Sequence, residues 1–269
     1  MKRLFVTGGA SGLGRAIALK YATEGFDVCI ADVNDARGQE TLTQLQTFGQ
    51  DALYLHCDVR QLADLESAQT TLQQRWDGVD IVVNNAGVGG ASGAIDEVTA
   101  ADWDWVLDIN LNGVMRGIRA FTPLFKRQKS GYFVNVASAA GLFNPPGMSA
   151  YSVAKAGVIA LSESMRAELA AHHIDTTVVC PAFFSTNLLE NMKFSAPGVH
   201  DRVTRWMEKS EISADDIAEQ IFNAVNNRQF MLQPHPSVQQ QWQLKCADPE
   251  AFATFMQDEG RKLLSENNQ

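Results

Sequence analysis

The chain has 269 residues, 45% of them hydrophobic and 20% charged, and its 22 Lys and Arg against 31 Asp and Glu leave a formal net charge of −9. That apolar share excludes a disordered chain, and the length is enough for a real core in one large α/β domain or two smaller ones. The acid excess argues against a nucleic-acid partner, whose phosphates demand clustered Lys and Arg, and against an electrostatic anchor on an anionic membrane.

No run approaches the roughly 18 apolar residues needed to span a bilayer, so membrane insertion is not expected. The opening MKRLFVTGG is basic, but its apolar stretch, Leu4 to Val6, is too short for a signal peptide. Cys29, Cys57, Cys180 and Cys246 are scattered and form no C-x-x-C. They read as reduced structural thiols of a cytoplasmic protein, and no metal site is expected.

In chain order, short apolar runs rich in β-branched and aromatic residues predict strands at Lys2–Thr7, Asp27–Ala31, Ala52–Cys57, Asp80–Val83, Tyr132–Val136, Thr176–Cys180 and Phe230–Leu232. Between them, amphipathic patterns predict helices near 13–24, 35–48, 61–76, 100–127, 151–172 and 214–227. Strict β-α alternation with right-handed crossovers implies an α/β fold: one doubly wound parallel sheet of about seven strands with helices on both faces. Residues 186–212, which follow a late strand, read as a substrate lid. After Pro234 comes a polar stretch beginning at Gln239–Gln241, and then Asp248-Pro249 reads as an N-cap with a first-turn proline. In that last helix Phe252, Phe255, Met256 and Leu263 form one apolar stripe, which packs either on its own subunit or on a second one.

The first strand runs into Thr7-Gly8-Gly9-Ala10-Ser11-Gly12-Leu13-Gly14 and then a helix. Such a turn lets backbone approach a pyrophosphate at the positive helix end, although a purely structural tight turn has the same composition. The second strand ends at Asp32, placed to accept both adenosine ribose hydroxyls and to repel a 2′-phosphate, which favours NAD over NADP. A capping or loop carboxylate is the plainer alternative. Arg37 reads as a solvated helix-face residue, and Asp58-Val59 stand where a side chain can reach adenine. The fourth strand ends in Asn84-Asn85-Ala86-Gly87, small enough for close approach to a cofactor, with Asn84 equally readable as a strut between strands.

Ser138 closes the fifth strand, and Tyr151 and Lys155 sit one turn apart on the next helix, so phenol and ammonium share a face. A neighbouring Lys⁺ and a cationic nicotinamide are expected to draw the phenol pKa down from about 10 toward working pH. Ser138 can hydrogen-bond an oxygen that gains alkoxide character.

Together, the T-G-x-x-x-G-x-G turn, N-N-A-G, and Ser138 ahead of Tyr151-x-x-x-Lys155 resemble the short-chain dehydrogenase/reductase family over roughly residues 1–233. The resemblance implies a Rossmann-type catalytic domain over 1–233; the helical extension over 234–269, read from its own residues, lies outside the family's common pattern. It implies Asn110, in D-I-N-L-N-G, as the fourth member of an Asn-Ser-Tyr-Lys tetrad, its kinked backbone holding a water that relays protons to Lys155. It further implies that Lys155 binds the nicotinamide ribose and that Pro181 and Thr186 contact the nicotinamide. Where the family usually has Pro-Gly, this chain has Pro181-Ala182.

The implied reaction is reversible hydride transfer between NAD(H) and an alcohol or ketone, with Tyr151 as acid and base. Leu142, Phe143 and Met148, with Phe183, Phe184, Leu188, Leu189 and Met192, suggest a mostly apolar substrate pocket, unless they simply pack the lid on the core. An apolar secondary alcohol is therefore the expected substrate. A 3-oxoacyl-(acyl-carrier-protein) reductase-like enzyme is the alternative, and a non-catalytic NAD-binding sensor or scaffold is the reading from another class. A homodimer or homotetramer is expected from the family.

Overall fold

A computed structural model describes residues 2–185, 190, 192–194, 204 and 210–267. Strand β1 (Arg3–Thr7) leads through helix α1 (Gly12–Thr23) to β2 (Asp27–Asp32), and α2 (Asp35–Gln46) leads on to β3 (Ala52–His56). Helix α3 (Leu62–Trp76) then returns the chain to β4 (Ile81–Asn84). A two-residue strand, β5 (Ala91–Ser92), precedes α4 (Ala100–Leu107), a π-helical turn (Asp108–Asn112), α5 (Gly113–Gln128) and β6 (Gly131–Val136). Short α6 (Ala139–Phe143) and long α7 (Ser149–Leu169) come next, followed by β7 (Ile174–Val179) and β8 (Lys193–Phe194). The chain closes with α8 (Ala214–Asn226), β9 (Met231–Leu232), α9 (Pro236–Ala247) and α10 (Pro249–Asn267).

Seven strands form one parallel sheet in the order β3-β2-β1-β4-β6-β7-β9, the expected Rossmann-type α/β architecture. The strands read as nearly continuous apolar runs because both sheet faces are buried. Successive side chains divide between the two faces as the pleat requires. Leu4 and Val6 join Val28, Ile30, Ile81, Val83 and Val134 in the core under α1 and α8. Phe5 joins Cys29, Val82 and Phe133 in the core under α3, α5 and α7.

The chain turns outward from β1 in opposite directions, first to β2 and β3 and then to β4 and β6, so a switch point opens between β1 and β4. Open α/β sheets bind ligands in the crevice at such a point, beyond the strands' carboxyl ends. Gly8 follows β1 there and Asn85 follows β4.

The seven predicted strands of the sheet are all present, within a residue or two of their expected limits. The single helix expected over 100–127 is instead broken by the π-helical turn at Asp108–Asn112. Helix α6 has only five residues, too few to show a period, and α9 hides its start behind the polar run Gln239–Gln241. The predicted cap of α10 is present, with the Ala251 N–H donating to Asp248 Oδ1 at 2.9 Å. Its stripe packs in part on its own chain: the Phe252 ring stands 5.7 Å from Phe143, while Phe255 remains 49% exposed.

Most of the lid expected over 186–212, including Thr186, Leu188 and Leu189, lies outside the described residues. Within it, Lys193–Phe194 pair in parallel with Ala91–Ser92. Lys193 also pairs with Asp102, and its ammonium stands 4.7 Å from the Trp105 ring centre.

Candidate active site

A cavity of about 410 Å³ occupies the switch point and runs from Asp32 to Tyr151. Its size suits a small-molecule ligand. At one end lie Gly8, Ser11, Gly12 and Leu13, with the first turn of α1 pointing at the space. Ser11 makes no side-chain cap and the turn carries no acidic residue, so the positive end of the helix is left for an anion. Two glycines make this approach possible. Gly8 has φ +67°, and a Cβ there would stand 2.8 Å from Asn85 Nδ2. A Cβ on Gly14 would stand 2.1 Å from the Gly8 carbonyl oxygen, so Gly14 serves by letting the helix close on the loop, without lining the cavity itself.

Asp32 is fixed by its own surroundings: Oδ2 accepts the Ala10 N–H at 3.1 Å and Oδ1 accepts the Asn34 N–H at 3.0 Å. Its carboxylate is thereby held against the cavity wall. Asp58 and Val59 line the same end, and Asp58 forms an ion pair with Arg60 that holds its carboxyl below the usual range. Arg37 differs from expectation. It is not simply solvated, because its guanidinium makes a two-pronged pair with Glu190 at 2.7 and 3.1 Å. The two residues are 153 positions apart, and no local pattern announces such a pair.

Asn84 proves to be a strut: its Nδ2 donates to Asn135 Oδ1 at 2.9 Å, and Asn135 donates on to Ser162 at 3.0 Å. Asn85 binds the two loops together. Its Nδ2 donates to the carbonyls of Thr7 at 2.9 Å and Gly8 at 3.3 Å. The Asn85 and Ala86 N–H groups both donate to Thr7 Oγ1. Asn85, Ala86 and Gly87 then form the cavity wall between the two ends.

At the far end stand Asn110, Tyr151, Lys155 and Pro181. Asn110 is wholly buried inside the π-helical turn, and its side chain is fully engaged with Val88: Oδ1 accepts the N–H at 2.9 Å and Nδ2 donates to the carbonyl at 3.0 Å. The π-helical turn thus sets Asn110 at the cavity wall with its side chain tied to Val88. Lys155 Nζ donates to the Val136 carbonyl at 2.8 Å, and the ammonium lies 5.7 Å from the Tyr151 ring centre. Ser138 caps α6, accepts the Ala140 N–H at 3.1 Å and donates to the Pro181 carbonyl at 3.4 Å.

The protein's own groups do not by themselves lower the Tyr151 pKa. Burial pushes the phenol up to about 12, opposed by a hydrogen bond with Ser138. Burial likewise draws Lys155 down to about 8, with only the Cys180 thiol acting against it. Burial is thus the largest cause of both shifts, and neither group figures among the causes of the other's.

The expected substrate residues are only partly brought together. Phe184 lines the cavity. Met148 packs beside Tyr151 and Val106, whereas Phe143 packs toward Val238 and Phe252. Phe183 and Met192 are half-buried outside the cavity wall, and Thr186 and Leu188 lie outside the described residues. Sequence reasoning missed Val88, Trp105 and Ile109, which do line it. Trp105 and Ile109 are one helical turn apart and Ile109 immediately precedes Asn110, a spacing that could have pointed to them. Among the described residues there is no cluster fit to hold a metal ion, and no helix is long and apolar enough to cross a membrane.

The cavity suits a dinucleotide in chemistry as well as in shape: glycine backbone at an uncapped helix start, a fixed carboxylate at one end, and a phenol beside an ammonium at the other. Known proteins agree. Residues 2–195 match the short chain dehydrogenase family, and the chain belongs to it. It is 33% identical over 232 residues to the probable oxidoreductase EphD of Mycobacterium tuberculosis, a match covering 83% of this chain and 39% of that protein. The chain thus spans well under half the length of that relative. It is 31% identical to a 3-oxoacyl-[acyl-carrier-protein] reductase of Synechocystis, covering 70% of this chain and 76% of the relative. A short chain dehydrogenase/reductase from Burkholderia phymatum in complex with NAD superposes with a TM-score of 0.87 at 29% identity, covering 93% of this chain and 94% of that one.

Proposed function

We propose that this oxidoreductase interconverts an apolar secondary alcohol and its ketone, with NAD(H) as the redox partner. The observation that carries this reading is one continuous cavity with Asp32 at one end and Tyr151 and Lys155 at the other. Gly8, Ser11, Gly12 and Leu13 would hold the pyrophosphate, Asp32 the adenosine ribose, Asp58 and Val59 the adenine, and Lys155 the second ribose. Pro181 would flank the nicotinamide, and Thr186 is assigned to its carboxamide. When bound, the nicotinamide supplies or accepts the hydride. Tyr151 holds the proton that the substrate oxygen gains or loses, and Ser138 orients that oxygen. With its phenol at about 12, Tyr151 is protonated at neutral pH and ready to act as the acid in ketone reduction. Lys155, near 8, can exchange protons close to neutrality and resupply the phenol. A carboxylate at Asp32 repels a 2′-phosphate, which supports NAD over NADP.

Val88, Trp105, Ile109 and Phe184 give the cavity an apolar wall and support an apolar substrate. The Synechocystis relative supports a second reading, reduction of a 3-oxoacyl thioester. A panel of apolar alcohols, polyols and a 3-oxoacyl thioester, assayed with both cofactors, separates these readings, and turnover of polyols alone would overturn the apolar one. Tyr151→Phe is expected to lower kcat by about 10²–10⁴-fold while leaving NAD affinity nearly unchanged. Near-normal turnover by that variant would show that the acid/base group lies elsewhere.

A further inference from the structure

The segment that follows β7 carries Pro181 and Phe184 into the cavity, and it is pinned at successive peptide groups. The Cys180 N–H donates to the Leu232 carbonyl at 2.8 Å, extending the sheet ladder by one bond. The Pro181 carbonyl accepts the Ala139 N–H at 2.9 Å and the Ser138 hydroxyl at 3.4 Å. The next donor, the Ala182 N–H, goes to a side chain, His235 Nδ1, at 3.2 Å. His235 is 7% exposed and stands just before α9, where its own carbonyl accepts the Val238 and Gln239 N–H groups. Val238, three residues on and 2% exposed, packs with Ala182, Phe143 and Trp242, so the start of α9 is anchored on the same segment. Because Nδ1 accepts, the ring must be neutral with its proton on Nε2. Burial favours that neutral form, against the pull of the Phe183 backbone. His235 lies beyond residue 195, where the family match ends.

We infer that His235 is a positioning residue: it holds the Ala182 N–H so that the Pro181–Phe184 segment forms one wall of the nicotinamide and substrate space. The inference rests on the dehydrogenase reading for its consequence and on geometry for its cause. A tertiary contact of this kind, outside the chemistry, governs rate through placement, since a shift near 1 Å costs up to about 100-fold. His235→Leu keeps an apolar body but removes the acceptor. It is expected to lower kcat by about 10- to 100-fold and to weaken NAD binding relative to ADP-ribose, which lacks the nicotinamide. His235→Asn sets Oδ1 where Nδ1 stands and is expected to recover most of both losses. A merely structural role would lower the melting temperature and leave kcat and the NAD to ADP-ribose affinity ratio unchanged. That result in a folded His235→Leu protein overturns the inference. Should the leucine variant not fold, His235→Gln, whose carbonyl sits one methylene further out, gives the same comparison against asparagine. Absence of turnover by the wild-type protein with every alcohol and ketone tested rejects the dehydrogenase reading instead, and the affinity ratio still reports on His235.

Discussion

The two ends of the cavity are built in different ways. The end around Gly8 and Asp32 is made mainly by neighbours in sequence: a strand, a glycine turn and the helix that follows it, with Asp32 closing the adjacent strand and Asp58 and Val59 following the next one. Its tolerance is narrow because backbone meets backbone, as Gly14 meets Gly8. The end around Tyr151 is assembled from distant segments. The π-turn at Asn110, the α6 cap at Ser138, the α7 face, the Pro181 segment and the tail at His235 converge there. Rigid local geometry suits a ligand part that never changes, whereas a composite wall can be altered piece by piece to change what is reduced or oxidised.

Four substitutions sharpen that contrast. Gly14→Ala carries the largest expected cost, about 3 kcal/mol of stability together with loss of NAD binding, because its methyl would meet a backbone oxygen that cannot swing aside. Denaturant unfolding and a cofactor titration measure both, and a variant that binds NAD normally would show the turn to be looser than its contacts imply.

Lys155→Met tests the opposite end through pH. Below about pH 8 the buried ammonium is charged and its desolvation cost is present in full. Between about 8 and the ordinary 10.5 the unfolded chain keeps a proton that the folded one has shed, so wild-type stability rises with pH. The rise amounts to as much as about 3 kcal/mol. The methionine variant is expected to lose this dependence, which unfolding free energies at pH 7.5 and 10 would reveal, and to lose turnover as well.

Asp32→Ala returns the contrast to the adenosine end. It is expected to shift the NADP to NAD affinity ratio by at least about tenfold toward NADP by removing a like charge. An unchanged ratio would assign cofactor choice to other residues, with Arg37 foremost. Phe252→Ala carries the smallest effect, about 1 kcal/mol, since it removes one half-buried ring from against Phe143. NAD affinity should not change, because Phe252 does not line the cavity.

The residues that were legible beforehand share a physical property: each declares itself through its neighbours. Strand runs alternate with helices, glycines cluster where backbone must approach an anion, and Tyr151 and Lys155 repeat at one helical turn. Asn110 is the intermediate case, because the chain shows an asparagine in a helical stretch while only the fold shows the π-turn that buries it at the cavity wall. The Arg37–Glu190 pair, the Phe143–Phe252 contact and the His235–Ala182 bond join segments separated by up to 153 residues. Their partners were set by where the helices landed.

By itself, then, the sequence determined the alternation that forces a doubly wound parallel sheet, the place of the glycine turn and the chemical groups available for proton transfer, all carried by spacings of a few residues. The tertiary structure alone decided how deeply those groups are buried, and burial pushes Tyr151 up and Lys155 down. It alone also turned Phe143 toward the tail, set Trp105 and Ile109 on the cavity and made His235 a support of the catalytic wall. Desolvation and long-range contact depend on what surrounds a residue in space, and that is decided only when the chain has closed on itself.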